Sequence, residues 1–385
     1  MKILLAVETL YPGGAEMFVL RLASALSARH EVVLFRVYPE AVDQALVARH
    51  PGSFRHAWPE IPLDILWRKL DRVIRLASID FSFRDAWAKR TLKRLIKEVK
   101  PDVIHSNQVK VDHLMARVVH DEAFVITLHG DYKTFDELTV KSRRILNFNQ
   151  KLRQIALKKP AFVYISETQR TYIESKNLRS VSLTKIYNGY PKLDILPNTG
   201  AVFTFGMIAR GVKEKGWQIA IDAFLNVHEQ FPQTRLLLAG DSAYLQELRS
   251  TYASNTAIAF AGQVSDPMPW IAQLHVGLLP SYYPSESLPT SVMEYLLAGI
   301  PVIASNAGEI EHMIATPEGP AGKTFRIQQN GSDAETLARE MKKYLTDSQL
   351  YQQHCARARE AFKKFDMQTC VEGYEKLYRT ELSKQ

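Results

Sequence analysis

The apolar residues of this chain alternate between two spacings: short continuous runs typical of buried strands, and the three- or four-residue spacing of helices. Residues 3–7 form one such run, Gly13 and Gly14 follow it, and a helical stripe then includes Val19 and Leu26. Further runs in the N-terminal half lie at 32–37, 103–105, 124–128 and 162–165. Strand-like runs separated by helices predict the doubly wound α/β class, a parallel sheet with helices on both faces.

A second series of the same kind follows a segment rich in turn residues. Its apolar runs lie at 202–208, 236–239, 258–261, 276–279 and 302–304. We therefore expect two Rossmann-like domains that face each other across a cleft, followed by C-terminal helices. The expected boundaries are 1–190 for the N-terminal domain, 191–200 for the linker and 201–365 for the C-terminal domain. A last helix over 366–385 either stays with that domain or returns to the first.

The composition is that of an ordinary globular protein, with 46% hydrophobic and 23% charged residues. The 2 cysteines, Cys355 and Cys370, exclude a disulfide scaffold and are expected to be free thiols in a reducing compartment. No stretch reaches the roughly 20 consecutive apolar residues of a membrane span, and the first residues resemble a buried strand rather than a signal peptide. We therefore expect a cytoplasmic protein.

The net charge of +8 is concentrated in the N-terminal half. Residues 64–100 carry 11 Lys and Arg against 5 Asp and Glu, and residues 138–159 carry 7 Lys and Arg and no acid. Such a local surplus favours an anionic partner, either membrane headgroups or nucleic acid, although solvated helix faces produce the same pattern. Nucleic acid is the weaker option, because the basic stretches lack the interleaved aromatic residues of a single-strand platform.

One basic segment also carries apolar residues at helical spacing. Beside the basic residues at 68, 69, 72 and 75 lie Leu66, Trp67, Leu70, Val73 and Ile74. The pattern fits a helix that lies on an anionic membrane and holds the protein peripherally on its inner face. It fits a helix whose apolar stripe is buried in the domain core equally well.

Two cations follow directly after the run at 202–208. Arg210 and Lys215 precede Gly216, after which a helical stripe begins. A guanidinium, an ammonium and a helix N-terminus together suit a diphosphate, because each attracts negatively charged oxygens. An ordinary exposed loop explains the same residues about as well.

A more specific pattern comes after the run at 276–279. Glu286 and Glu294 are separated by seven residues, with Pro289 between them at the point where a helix should begin. One carboxylate then lies in the loop after a strand, and the other lies more than one turn along the helix. Two exposed glutamates flanking a helix are the simple alternative.

Together these motifs resemble the retaining glycosyltransferases of the GT-B fold, family 4 (glycosyl transferases group 1), over nearly the whole chain. The E-x7-E signature at Glu286 and Glu294 continues into the family's usual sequence, and Arg210 and Lys215 match its diphosphate-binding segment. Three further stretches resemble family motifs: Gly13-Gly14-Ala15-Glu16, Pro101-Asp-Val-Ile-His105 and Ile186-Tyr-Asn-Gly189.

The resemblance implies a donor site with definite roles. Glu286 would approach the hydroxyls of the donor sugar, Glu294 would hold the ribose, and main-chain groups near Gln263 and Val264 would frame the base. The groups expected at the diphosphate are Arg210, Lys215, Gly14 and the amides of Leu288 and Thr290. Many relatives carry an aromatic residue and then glycine at 288 and 289, where this chain has Leu288 and Pro289.

His129 follows the run at 124–128 and precedes Gly130. Its position alone fits a structural histidine at least as well as a functional one. Members of the family carry a cleft-facing histidine after the corresponding strand, near the donor sugar. The resemblance therefore implies that His129 takes part in catalysis by polarity and positioning, without assigning it as a general base.

These observations predict a retaining transferase that moves a sugar from a nucleotide diphosphate sugar to a hydroxyl of a glycan or lipid-linked acceptor. The expected role is cell-surface polysaccharide or glycolipid assembly, with UDP rather than GDP as the nucleotide and no separate cofactor. No Asp-x-Asp pair or His/Cys cluster indicates a metal site. A sugar-nucleotide epimerase of the same fold and a non-catalytic protein that binds sugar or nucleic acid are the alternatives.

Overall fold

The computed structural model describes residues 1–11, 13–76, 81–130, 148–178, 181–196, 198–329 and 331–384. The chain divides into two compact units, each described by itself below. Unit 1 comprises Met1–Pro191 together with Phe365–Gln385, and unit 2 comprises Lys192–Lys364. The C-terminal segment therefore packs with the first unit and not with the one that precedes it in the chain.

Unit 1 contains a seven-stranded sheet whose neighbouring strands all run parallel, in the order β3-β2-β1-β4-β5-β6-β7. The strands are β1 (Lys2–Val7), β2 (Glu31–Arg36), β3 (Arg55–Ala57), β4 (Val103–Asn107), β5 (Ala123–Thr127), β6 (Ala161–Tyr164) and β7 (Ser182–Lys185). The helices between them are α1 (Gly14–Leu26), α2 (Gln44–Ala48), α3 (Asp64–Leu76), α4 (Phe83–Val99), α5 (Val109–Ala116), α6 (Phe148–Ala156) and α7 (Glu167–Ser175).

The central strands are largely apolar on both faces because helices cover both sides of the sheet. Along β1, Ile3 and Leu5 belong to one hydrophobic core, while Leu4 and Ala6 belong to the other. Successive side chains of a strand point to opposite faces, so a continuous apolar run supplies both cores at once. This is why the continuous runs of the sequence predict the central strands.

Unit 2 contains a six-stranded parallel sheet in the order β10-β9-β8-β11-β12-β15 and a small antiparallel pair, β13 and β14. Its strands are β8 (Phe203–Ile208), β9 (Thr234–Ala239), β10 (Ile258–Gly262), β11 (Val276–Leu279), β12 (Val302–Ser305), β13 (Ala315–Thr316), β14 (Gly319–Pro320) and β15 (Gly322–Phe325). Its helices are α8 (Trp217–Gln230), α9 (Ala243–Thr251), α10 (Met268–Ile271), α11 (Thr290–Leu297), α12 (Ile310–Ile314), α13 (Asp333–Thr346) and α14 (Ser348–Phe362). A last helix, α15 (Met367–Leu382), belongs to unit 1.

The predicted fold class, two parallel-sheet α/β domains with C-terminal helices, is confirmed. Three strands of the parallel sheets have no counterpart among the predicted runs, namely β3, β7 and β15. Each of the three lies at the edge of its sheet. An edge strand is paired on one side and buries less surface, so its sequence needs no continuous apolar run; the half-buried Ser-Leu-Thr-Lys of β7 is an example.

A buried polar network joins α15 to the sheet of unit 1. The His105 ring lies between the Tyr378 hydroxyl at 2.7 Å from Nδ1 and the Thr127 hydroxyl at 2.7 Å from Nε2. The Thr127 hydroxyl also lies 2.7 Å from that of Tyr374, whose ring stacks on His105. Every one of these groups is removed from water and has a hydrogen-bond partner, which makes the docking of α15 specific.

Burial lowers the pKa of His105 to about 3, with a smaller contribution from His129, so the ring is neutral at physiological pH. A histidine in the unfolded chain has a pKa of about 6.5. The unfolded state therefore binds more protons between these two values, and the stabilising contribution of His105 is lost as the pH falls from about 6.5 toward 3. Burial lowers the pKa of His129 to about 3 as well, so it adds to the same trend.

We expect the free energy of unfolding of unit 1 to fall by about 2 kcal/mol per buried histidine between about pH 7.5 and about pH 5. Urea unfolding at the two pH values measures this difference. His105→Gln should remove about 2 kcal/mol of the difference, because the residue that gains the proton is gone. His120→Gln, at an exposed position, should leave it intact. An unchanged pH dependence in His105→Gln would contradict the account.

Candidate active site

The strand order of unit 2 reverses between β8 and β11, which are neighbours in the sheet although two other strands separate them in the chain. The segments that leave the carboxyl ends of two such strands diverge, and ligands of open α/β sheets bind in the crevice between them. Here the two segments are 209–216 after β8 and 280–289 after β11. They carry Arg210, Lys215, Glu286 and Leu288, which the sequence predicts for the donor site.

A close backbone approach fixes the two segments to each other. Gly216 has a φ of +84°, and a Cβ at this position would collide with the carbonyl oxygen of Pro280. Only glycine meets both conditions without strain. The amide of Tyr282 donates to the carbonyl of Glu214 at 2.7 Å, and the Ser281 hydroxyl oxygen lies 3.3 Å from the same carbonyl oxygen. The crevice therefore has a rigid floor.

Lys215 and Glu286 meet on this floor as a buried ion pair. The Lys215 Nζ lies 2.5 Å from Glu286 Oε2, and the two side chains are 8% and 7% exposed. The Ser281 hydroxyl donates to the same carboxylate oxygen at 2.7 Å. A charge buried here would cost several kcal/mol if it stood alone, so each partner is needed to hold the other. The structure thus brings together two residues that the sequence places 71 positions apart.

Arg210 lies at the mouth of the same crevice with its side chain exposed. Its guanidinium carbon is 4.8 Å from the centre of the Tyr283 ring, and Lys215 Nζ is 5.1 Å from the same centre. Both cations predicted at the diphosphate therefore converge on one aromatic ring. Two cations and a carboxylate within one crevice can bind a group that carries both phosphate oxygens and hydroxyls.

The second glutamate occupies a different position. Glu294 is a buried residue of α11, 5% exposed, and lies more than one turn beyond Thr290, the first residue of that helix. Pro289 is the N-cap, and Leu288 just before it is buried. The first amides of a helix have no partner within the helix, so those near Thr290 can bind an anion. The predicted placement of Glu286 in a loop and of Glu294 inside a helix matches the structure.

The predicted base-framing residues lie at the carboxyl end of β10. Gln263 is exposed and Val264 is half-buried, and Gly262 before them has a φ of +71°. The Gly240 amide donates to the Gly262 carbonyl at 2.8 Å, which joins this segment to the end of β9. Two strand spacings, roughly 10 Å, separate β10 from β8, a distance that suits a nucleoside whose diphosphate reaches the crevice.

In unit 1, His129 follows β5 and is half-buried. Its Nε2 lies 3.0 Å from Oδ1 of the buried Asn107, whose amide nitrogen donates to the Ala6 carbonyl at 3.4 Å. This orientation of the amide makes Nε2 the protonated nitrogen and leaves the lone pair on Nδ1. With a pKa lowered to about 3 by burial, the ring stays neutral and is a poor proton acceptor at neutral pH.

The strand order of unit 1 reverses between β1 and β4, and Gly14 lies beside that point. Gly14 is the exposed first residue of α1, and a Cβ there would meet no described atom within 4 Å. Gln108 bridges the two sides: it accepts from the Glu8 amide at 2.7 Å and donates to Glu16 Oε1 at 2.7 Å. Its φ of 93° is unusual for a residue other than glycine, and such strain is often found at functional sites.

A mixed cluster that the sequence did not reveal lies at the start of α4. Burial raises the pKa of Asp85 to about 6, and the carboxylates of Asp71 and Glu8 add to the rise. Lys110 Nζ is 3.3 Å from Asp85 Oδ1, and the Tyr38 hydroxyl is 3.4 Å from the same oxygen. A carboxyl group with such a pKa exchanges a proton near neutral pH. Nothing in the local sequence around Asp85 signals this property, because the groups responsible come from other elements.

The amphipathic segment that contains residues 66–74 forms α3. The sequence left open which of its side chains are exposed. Leu66 and Val73 of the predicted stripe are exposed, whereas Trp67, Leu70 and Ile74 are half-buried. Ile65 and Leu76, outside that stripe, are exposed too. The side chain of Arg75 and the basic residues at 141, 143 and 144 lie outside the described residues.

Among the described residues, no group of three or more His, Cys, Asp or Glu side chains is arranged to hold a metal ion. None of the helices in the described ranges has the length and apolar content that a membrane crossing requires.

Two family models match the chain, one for each unit. The model described as Glycosyltransferase Family 4 matches residues 12–191, and the model described as Glycosyl transferases group 1 matches residues 196–364. Together the matched residues include His129 in the first model and Arg210, Lys215, Glu286 and Glu294 in the second. The residues that carry the site geometry therefore lie within the matched segments.

Individual relatives are distant. A sulfoquinovosyl transferase of Arabidopsis thaliana is 26% identical over 184 residues, which are 47% of this chain and 32% of the plant protein. An uncharacterized glycosyltransferase of Methanocaldococcus jannaschii is 25% identical over 259 residues, 60% of this chain and 62% of that protein. The matches thus span about a third and about three fifths of the length of these relatives.

The solved structure of Anabaena HepE in complex with UDP and glucose is similar along the chain. It gives a TM-score of 0.74 at 20% identity and covers 99% of this chain and 100% of HepE. Similarity at this level of identity shows a shared fold.

Because removal of one member of a buried ion pair leaves the other uncompensated, we expect Lys215→Met to lower the free energy of unfolding of unit 2 by about 3–5 kcal/mol. The double variant Lys215→Met with Glu286→Gln should recover most of that loss, since neither charge then remains. Arg210→Met, at an exposed position on the same loop, is the matched control and should change stability little. Urea unfolding measures all three variants. A double variant no more stable than Lys215→Met would show that the pair is not the cause.

Proposed function

Because this chain belongs to the glycosyltransferases of the GT-B fold, we propose that it transfers a sugar, with retention at the anomeric carbon, from a UDP-sugar to an acceptor hydroxyl. The observation that carries the proposal is the buried pair of Lys215 and Glu286 beside Arg210 at the switch point of unit 2. HepE, which has the same fold, was solved with UDP and glucose, and this supports UDP as the nucleotide.

In this proposal the diphosphate binds at the cations. Arg210 offers a planar set of donors that can grip two phosphate oxygens, while Lys215 adds a point charge. The amides near Thr290 supply further donors at the start of α11. These groups stabilise the negative charge that develops on the leaving diphosphate, so fixed cations can serve where other enzymes use a divalent metal ion.

The donor sugar is then placed at Glu286. An ionised carboxylate only accepts hydrogen bonds, which suits sugar hydroxyls. Since Lys215 Nζ already lies 2.5 Å from the carboxylate, the sugar and the phosphate must meet at this pair. The bond between them is the bond that breaks. Glu294, which is buried in α11, is proposed to hold the ribose, and Gln263 and Val264 to frame the base.

Retention follows if the acceptor attacks from the face that the diphosphate leaves. The bond between the anomeric carbon and the phosphate oxygen breaks, the acceptor oxygen bonds to that carbon, and the departing diphosphate takes the acceptor's proton. Oε2 of Glu286 already accepts from both Lys215 and Ser281, so this oxygen is poorly placed to act as the nucleophile of a double displacement. His129, neutral at physiological pH, is proposed to position substrate groups.

Transfer is distinguished from the alternatives by its products. Incubation with a panel of UDP- and GDP-sugars should release free nucleoside diphosphate in step with glycosylation of an added glycan or lipid-linked acceptor. Conversion of the nucleotide sugar to an epimer without transfer would instead indicate an epimerase. Binding of short oligonucleotides in place of nucleotide sugars would indicate a nucleic-acid-binding protein.

Substitution of Glu286 should mainly affect turnover, and substitution of Glu294 should mainly affect nucleotide binding. Glu286→Gln should lower kcat by roughly 10²–10³-fold, because the charge that meets the sugar in the transition state is lost. Its affinity for UDP should be unchanged or higher, since Lys215 no longer has a carboxylate competing with phosphate. Glu294→Gln should weaken UDP binding by about 1.5–3 kcal/mol at most, with a smaller effect on kcat.

Titration calorimetry with UDP and steady-state turnover with the active nucleotide sugar separate the two effects. A large loss of UDP affinity in Glu286→Gln together with none in Glu294→Gln would reverse the assignment. Turnover at the wild-type rate in both variants would remove the support for an active transferase.

The surface of α3 supports a second element of the proposal, peripheral binding to an anionic membrane that carries a lipid-linked acceptor. Ile65 and Val73 are 73% and 62% exposed, and Leu63, Leu66 and Leu76 are exposed beside them. Lys69 and Arg72 are exposed on the same helix. Apolar side chains next to cations suit the boundary between acyl chains and anionic headgroups. A cytoplasmic location and a role in polysaccharide or glycolipid assembly belong to the same proposal.

The orientation of α3 is fixed from its polar side. Asp71 is 5% exposed and accepts from the Ser82 hydroxyl at 2.7 Å and the Phe83 amide at 2.8 Å. Arg84 pairs with Asp64 at 2.8 Å. These contacts with the start of α4 hold Asp64 and Asp71 on the inner side of α3, where Trp67 packs on Phe83, and leave Ile65 and Val73 on its exposed side.

We expect the wild-type chain to sediment with vesicles of mixed phosphatidylcholine and phosphatidylglycerol, and sedimentation to fall as salt is added. The double variant Ile65→Ser with Val73→Ser should lose this binding, because apolar surface no longer enters the membrane. Leu196→Ser, at an equally exposed leucine of unit 2, is the matched control and should bind like the wild type. Indifference of the wild type to both phosphatidylglycerol and salt would refute the membrane proposal without touching the transferase proposal.

A further inference from the structure

We infer that Tyr283 is a positioning residue, which holds the two cations of the donor site in place before a nucleotide arrives. The inference rests on the proposed function, since it takes Arg210 and Lys215 as the ligands of the diphosphate. Neither the motifs of the sequence nor the comparisons point to Tyr283. Tyr283 is identified only from the structure, which places its ring beside both cations.

The geometry places one ring against two side chains of the facing loop. The centre of the Tyr283 ring lies 4.8 Å from the guanidinium carbon of Arg210 and 5.1 Å from Lys215 Nζ. Both distances fall within the range of about 6 Å in which a cation is attracted to the face of an aromatic ring. The ring therefore contacts both groups that the diphosphate would use.

The backbone of Tyr283 is held in the same turn as Glu286. Its amide donates to the Ser281 hydroxyl at 3.2 Å, and its carbonyl accepts from the Glu286 amide at 3.0 Å. The Ser281 hydroxyl in turn donates to Glu286 Oε2. The ring that contacts the cations and the carboxylate that pairs with Lys215 thus belong to one hydrogen-bonded turn, so their positions are coupled.

An aromatic ring is suited to this task because it attracts a cation without neutralising it. In the described part of the chain, Arg210 forms no ion pair with a carboxylate, and its guanidinium lies over the Tyr283 ring. A carboxylate at this position would hold the guanidinium more strongly but would compete with the incoming phosphate. The ring leaves the full charge available to the ligand.

The ring also reduces the cost of ordering the site. Arg210 is exposed and has a long side chain, which loses rotamer freedom when a ligand fixes it. Lys215 and Arg210 carry like charges, so each disfavours the approach of the other. A ring that attracts both cations offsets part of these costs before binding, and preorganisation of this kind increases affinity without adding a contact to the ligand.

The experiment compares Tyr283→Leu, which removes the ring, with Tyr283→Phe, which keeps it. Tyr283→Leu should bind UDP about 3- to 10-fold more weakly and raise KM for the nucleotide sugar by a similar factor, with kcat changed less. Tyr283→Phe should stay close to wild type, and uridine should bind all variants equally, since it has no diphosphate. Tyr282→Leu is the matched control, because that neighbouring ring lies over no cation in the described residues.

A double-mutant cycle shows whether Tyr283 affects UDP binding through Arg210. In an Arg210→Ala background, Tyr283→Leu should weaken UDP binding by clearly less than it does in the wild type, because one of the two cations it positions is gone. An undiminished effect in that background, or a loss of uridine affinity in Tyr283→Leu, would show that the ring touches the nucleotide itself and would overturn the inference. Equal losses in Tyr283→Leu and Tyr283→Phe would overturn it as well.

The outcomes distinguish failure of the positioning role of Tyr283 from failure of the proposed function. If the wild type binds neither UDP nor GDP, the proposed function fails and the positioning role fails with it. If the wild type binds UDP and Arg210→Ala weakens that binding while Tyr283→Leu does not, the transferase proposal stands and only the role of Tyr283 is refuted. If GDP binds more tightly than UDP, GDP and guanosine replace UDP and uridine in every titration.

Discussion

The parallel arrangement of the strands constrains everything else in this structure. In each sheet all carboxyl ends lie along one edge, and at one point of each sheet the strand order reverses, between β1 and β4 in unit 1 and between β8 and β11 in unit 2. Backbone amides and helix N-termini also point toward that edge. The same topology therefore creates a crevice and lines it with groups that favour anions. Gly216 then allows the two loops of unit 2 to approach closely enough for Lys215 to reach Glu286.

In the proposed function, the buried pair of Lys215 and Glu286 links recognition of phosphate to recognition of sugar. If a diphosphate binds Lys215 as proposed, the ammonium is shared between two anions and holds Glu286 less strongly. The carboxylate then needs other hydrogen-bond donors, and the hydroxyls of a donor sugar can supply them. A nucleoside diphosphate without a sugar offers none and places negative charge near the carboxylate. The arrangement thus favours the substrate over the product that remains after transfer, which assists product release.

The sequence predicted those parts of the structure that depend on residues close together in the chain. Continuous apolar runs predicted the central strands, because a strand buried on both faces is apolar at most of its positions. The spacing of Glu286, Pro289 and Glu294 predicted a loop residue and a helical one for the same kind of reason. The edge strands β3, β7 and β15 escaped notice because partial burial leaves little trace in composition. The site roles themselves stay predictions, since geometry alone does not show what binds.

What the sequence could not supply is which side chains meet across different elements. Ser281 and Tyr283 look like ordinary loop residues, and their importance comes from a backbone approach at Gly216 that no spacing rule encodes. Similarly, Asp85 acquires a pKa of about 6 first through burial and then through Asp71 and Glu8, which belong to other segments.

The sequence of α3 likewise did not reveal which of its side chains are exposed on the surface. Periodicity identified an amphipathic helix but not which face turns inward; the contacts of Trp67 and Asp71 with the start of α4 decide that question. The carboxylate of Asp71 is buried while Ile65 and Val73 are exposed. In water this orientation gives up part of the hydrophobic stabilisation that burial of those side chains would bring. An exposed apolar surface beside Lys69 and Arg72 suits the boundary of an anionic membrane, and the membrane proposal rests on this surface. The structure of α3 therefore adds what its sequence left open, namely which apolar side chains are exposed to the proposed membrane.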